Sequence, residues 1–60
     1  MRVLIVDDEQ LCLDDTVYML SRYDDVKIVG AFTKPLEALE AVPSLRPDAL
    51  FFDLSMPQLN

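Results

Sequence analysis

The run Val3-Leu4-Ile5-Val6, closed by Asp7-Asp8, constrains this chain more than any other stretch of it. It is apolar throughout and β-branched at three of four positions. Nothing alternates along it, so both faces need cover, which is the mark of a strand inside a parallel sheet. A parallel neighbour requires a long crossover connection, and the next segment supplies one. From Glu9 to Tyr23 there is neither Gly nor Pro. At helical spacing Leu13, Val17 and Leu20 fall on one line, with Cys12, Thr16, Met19 and Tyr23 on the line beside it. Asp14, Asp15, Ser21 and Arg22 take the opposite side, which Leu11 and Tyr18 interrupt. Cys12 on the apolar side reads as a buried small hydrophobe, and Glu9 at the helix start suits the macrodipole.

Asp24-Asp25 predicts a turn, and Val26 to Phe32 a second strand, with Gly30 weakening it or admitting close backbone approach. Thr33 or Lys34 is the expected cap of a second helix, with Pro35 in its first turn, where the missing N–H does no harm. Leu36, Leu39 and Val42, with Ala38 beside them, are its expected inner face. Pro43 is expected to end or kink it. Arg46-Pro47-Asp48 is a turn, Ala49-Leu50-Phe51-Phe52 a third apolar strand ending at Asp53, and Leu54 to Asn60 a loop. The order β-α-β-α-β over 1–60 predicts one α/β unit with parallel strands and helical crossovers.

Charge and cysteine usage exclude several function classes. Eleven Asp+Glu against five Lys+Arg leave a net charge of −6 with no basic cluster, whereas a nucleic-acid surface needs clustered cations to displace counterions. No apolar run approaches the roughly 20 residues that span a bilayer. One cysteine and no histidine leave neither an internal disulfide nor a zinc set. A lone thiol and no targeting segment make the cytoplasm the expected location.

In open α/β sheets the functional crevice lies outside the carboxyl ends of the strands. There stand Asp7 and Asp8 after the first strand and Asp53 at the end of the third. Each alone reads as a turn residue, since Asp favours turns and caps. Three together repel unless a counter-charge joins them, and a hard divalent cation such as Mg2+ meets that need. One carboxylate would then be available as a nucleophile toward a phosphoryl group.

The stretches Val3-Leu-Ile-Val-Asp-Asp-Glu9, Arg46-Pro-Asp-Ala-Leu-Phe-Phe-Asp53 and Leu54-Ser-Met-Pro57 resemble, in register, the N-terminal half of the receiver (CheY-like) domain of two-component response regulators. The resemblance implies a flavodoxin-like doubly wound sheet in which these three strands stand in the order 2-1-3. It also implies that Asp53 accepts a phosphoryl group from a sensor histidine kinase. Asp8 would ligate Mg2+ directly and Asp7 directly or through water, with Asp53 and the backbone carbonyl of Ser55 completing the set. A phosphoryl acceptor of this kind is not itself an enzyme. A hydrolase using Asp53 lacks the Asp-x-Asp spacing, because Ser55 stands at the second position, and Cys12 has no histidine to activate it.

A receiver domain is about twice this length, so the resemblance implies a half-domain. The family's Ser/Thr after its fourth strand and Lys after its fifth match nothing here, and neither Lys27 nor Lys34 sits at that Lys position. Signalling by the sixty residues alone is therefore expected to be weak. The alternative reading is a structural half-domain that homodimerises, or that complements its missing half. In the order 2-1-3 the third strand is an edge, and an apolar edge templates pairing. Two copies joined antiparallel at that edge, aided by the wide apolar arc of the first helix, would make a six-stranded sheet.

Overall fold

The computed structural model describes residues 1–53. Five elements follow one another: β1 (Arg2–Asp7), α1 (Gln10–Leu20), β2 (Lys27–Phe32), α2 (Pro35–Leu45) and β3 (Ala49–Asp53). The strands form one parallel sheet in the order β2-β1-β3, so the expected order 2-1-3 is the one observed.

β1 organises the whole. Leu4 and Val6 are fully buried, and Val3 and Ile5 nearly so. Successive side chains leave a strand on opposite faces, so this one segment seeds two cores. On one face Val3 and Ile5 meet Leu13 of α1, with Val17, Leu20, Val26 and Ile28 packed around them. On the other, Leu4 and Val6 meet Ala38 of α2, with Val29, Phe32, Val42 and Leu45. The absence of alternation in the sequence is therefore the double burial it implied. Each helix covers β1 and β2, and neither contacts β3.

Two local expectations need correction, and a third, that Pro43 would end or kink its helix, loses its first alternative. The inner face of α2 is Ala38, Val42 and Leu45, while Leu36 is 75% and Leu39 52% exposed. The methyl of Ala38 lets the helix settle closely on β1, and that rotation turns both leucines away from the sheet. Pro43 does not end α2, which runs on to Leu45. The helix stops instead at Arg46, whose left-handed φ of 51° breaks the spiral while its N–H bonds the Val42 carbonyl at 2.8 Å. What holds the last turn past the proline comes from β1: the Arg2 guanidinium donates to the Leu45 carbonyl from Nη2 at 2.6 Å and Nε at 3.1 Å, and from Nε to that of Arg46 at 3.2 Å. A cation on the last carbonyls satisfies groups a helix end leaves orphaned. Finally, α1 stops at Leu20, short of Tyr23. Arg22 and Tyr23 donate to carbonyls three residues back, at Met19 and Leu20, and the Ser21 hydroxyl donates to the Tyr18 carbonyl at 2.8 Å. The spiral tightens and closes there.

Gly30 has a specific task. Pairing runs Val3 with Ile28 but Leu4 with Gly30, so Val29 is an extra residue in a β-bulge. Gly30 then lies on the α2 face, where an added Cβ would sit 2.8 Å from a Phe32 ring carbon and 2.9 Å from a Leu45 methyl. Gly30→Ala should lower stability by about 1 kcal/mol: overpacking of one methyl typically costs about 1–3 kcal/mol, and the flexible Leu45 tip relieves part of it. Urea unfolding followed by circular dichroism measures this; an unchanged midpoint would mean that the helix and strand have room to spare.

Candidate functional site

Asp7 and Asp53 meet at the carboxyl edge of the sheet because β1 and β3 run parallel and in register. Asp7 is the direct partner of Asp53 across the two strands, and neighbouring strands lie roughly 4.8 Å apart. Asp8 follows Asp7 into the loop and is exposed, as is Asp53. Asp7 is 3% exposed and the one buried charged-type residue among those described. Its Oδ1 accepts the Glu9 N–H at 3.0 Å, which fixes the turn from β1 into α1 in the manner of an Asx turn. Its Oδ2 is buried with no hydrogen-bond partner among the described residues.

That orphaned oxygen is informative. Leaving a buried acceptor unsatisfied costs about 1–3 kcal/mol, and more when it carries charge. A cation seated between Asp7 and Asp53 would remove the cost, so the donor set fits a hard oxygen-seeking ion. Among the described residues, no three His, Cys, Asp or Glu side chains are grouped so that they could hold a metal ion, so Asp7, Asp8 and Asp53 do not form a three-carboxylate set here. Two carboxylates are enough for Mg2+, which keeps several waters. Ser55, expected to contribute its carbonyl, lies outside the described residues, as does the expected loop from Leu54 to Asn60.

Cys12 overturns its expected role. It is exposed, not buried, because α1 turns Leu13, Val17 and Leu20 inward and leaves the adjacent line facing out. Its thiol donates to Glu9 Oε1 at 3.6 Å, an i to i+3 pair on the first turn. Partial desolvation, then the negative field of Asp7, the bond to Glu9 and its charge, and finally Asp53, push the thiol pKa above its ordinary value. Cys12 is thus a reporter of the acidic edge, and the spacing Glu9 to Cys12 was the available signal for it.

With this geometry in view, the comparison with known families is decisive: the model of the response regulator receiver domain matches residues 3–60. The chain belongs to the receiver domain family. Among curated relatives, the receiver is similar to the transcriptional regulatory protein BtsR of Salmonella typhi, 46% identical over 59 residues. It is also similar to BtsR of Escherichia coli K12 at 42% and to the sensory transduction protein LytT of Bacillus cereus at 38%. These alignments cover 98–100% of the receiver sequence and 24–25% of each relative, so the chain spans about a quarter of their length. No solved structure gives a significant match. No helix among the described residues is long and apolar enough to cross a membrane.

The thiol offers a pH test of this electrostatic edge. Only the thiolate alkylates, and a raised pKa means a smaller thiolate fraction than in a free thiol at any pH below the midpoint. The rate of iodoacetamide labelling at Cys12 should therefore rise with pH through a midpoint above the ordinary thiol value of 9.0. Glu9→Gln, which removes a charge and a charged acceptor, should move that midpoint down. A midpoint insensitive to Glu9 would show that the carboxylate does not reach the thiol.

Proposed function

We propose that this receiver accepts a phosphoryl group on Asp53 from the phosphohistidine of a sensor histidine kinase, in the cytoplasm and with Mg2+ bound at Asp7, Asp8, Asp53 and the carbonyl of Ser55. The observation that carries the reading is the buried, unpartnered Oδ2 of Asp7 in register with Asp53. Mg2+, when bound, would offset charge on the acids and on phosphoryl oxygens. The chain's own residues do the rest. Asp53, exposed at the end of β3, presents a carboxylate oxygen to the phosphorus. The bond from that oxygen to phosphorus forms as the phosphorus–nitrogen bond breaks, and the departing imidazole takes up a proton. Asp7, held by the Glu9 N–H, keeps its second oxygen aimed where positive charge is wanted. On this reading the receiver is the substrate of phosphotransfer and not an enzyme, and the transcriptional role in the names of its relatives belongs to those longer proteins.

Incubation with a phosphoramidate donor and Mg2+, read by mass spectrometry or acid-labile label, tests the assignment. Incorporation should fall to background in Asp53→Asn and drop at least tenfold when Mg2+ is chelated. Equal incorporation in Asp53→Asn would remove Asp53 from its role.

A second reading is self-association of the sixty-residue chain, and it would use β3. Leu50, Phe51 and Phe52 are 44–45% exposed, and neither helix covers that strand. Unpaired apolar edges template pairing, so two copies would join at β3. Sedimentation at micromolar concentration should report a dimer that Phe51→Lys converts to monomer; an unchanged mass would eliminate pairing at this edge.

A further inference from the structure

A well-formed concavity lies away from the acidic strand ends. It is a trench of about 620 Å³ between α1 and the outer strand β2, and none of Asp7, Asp8 or Asp53 lines it. Its floor is Ala31, which pairs with Ile5 and so lies on the α1 face of the sheet. A methyl at that position leaves uncovered the space that a larger side chain would fill. Leu13 and Val17 give one wall an apolar base, and Tyr18 lines it from the exposed flank of the same helix. Asp14 and Glu37 supply carboxylates from α1 and from the first turn of α2, and no Lys or Arg lines the trench. Asp14 accepts an internal bond from the Gln10 amide at 2.9 Å, which fixes its direction without neutralising it. The guanidinium of Arg22 lies 6.0 Å from the Tyr18 ring centroid, so a cation already approaches that ring within cation–π range.

An apolar floor, an aromatic ring that Arg22 approaches from outside the lining, and two carboxylates are complementary to a cation on an alkyl stem. The lining runs along α1 from Gln10 to Ser21, roughly 16 Å at the helical rise. That length holds about five residues of extended chain at strand spacing. Because β2 pairs only with β1 among the described residues, the trench lies beside an open sheet edge. We infer that this trench docks an extended peptide segment of a partner protein through an arginine or lysine flanked by apolar residues. The inference stands apart from the phosphoryl-acceptor reading and does not depend on it.

Titration with a blocked Gly-Leu-Arg-Leu-Gly peptide, followed by amide NMR of the 15N-labelled chain, tests it. Saturable shifts should gather at Leu13, Val17, Ala31 and Thr33, and binding should weaken severalfold between low and moderate salt. Asp14→Asn and Glu37→Gln should each weaken it at least fivefold, and Ala31→Leu, which fills the floor, should abolish it. Should Ala31→Leu lose its dispersed spectrum, the exposed Glu37→Gln variant decides. The inference is overturned if the same peptide with Glu for Arg produces equal shifts, or if Glu37→Gln binds as tightly as the parent. Spermidine saturating the same amides as tightly as the peptide would also overturn it, since that would make the trench a small-polyamine site.

Discussion

Everything in this receiver leans on the burial of β1. Four aliphatic side chains on one strand lose essentially all contact with water, each contributing roughly 1.5–3 kcal/mol. That burial is achieved only if a strand lies on either side and a helix on either face. The arrangement has a consequence at the strand's end. Asp7 follows Val6 under the same cover, so the force that assembles the core also carries a carboxyl group out of solvent. One oxygen finds the Glu9 N–H; the other finds nothing among the described residues. A hydrophobic strand thus positions a polar functional group that could not be held there for its own sake.

The two sides of β1 are unequal, and the inequality divides the labour of the site. Both helices sit over β1 and β2 and leave β3 bare. Asp7, on the covered strand, is shielded and oriented; Asp53, on the uncovered one, is open to an incoming group. On the proposed reading a phosphoryl acceptor has to be reached, whereas a group that holds a cation has to stay in place. Parallel register joins the two requirements by putting the exposed acid and the buried acid side by side.

Element types and strand ends were legible in the sequence because they follow from periodicity and from where apolar runs stop at acids. Val3 to Val6 and Ala49 to Phe52 announced themselves in this way, whereas the side-by-side placing of their strands came only from the resemblance to receivers. Helix rotation was not legible. Leu36 and Leu39 look like core residues by hydropathy, yet Ala38 faces the sheet, since close approach of α2 favours the smallest side chain at the contact and Gly30 clears the space for Leu45. The continuation of α2 past Pro43 was equally hidden, because the group supporting its last carbonyls is Arg2, over forty residues earlier in the chain. Cys12 was misplaced for a related reason: a wide apolar arc does not say which of its two lines a thin sheet can cover.

These misses share one cause, which also bears on the trench at β2. A local pattern gives each helix a set of possible inner faces, and only long-range packing selects one. Once α1 commits Leu13, Val17 and Leu20 to the sheet, Tyr18 and Asp14 must lie along its flank. Because Ala31 is too small to reach them, a gap opens above β2. Its walls take their charge from a chain with eleven acids and five bases, so the gap is acidic by composition as well as by geometry. The same selection that seals the core around β1 therefore leaves an acidic concavity beside β2.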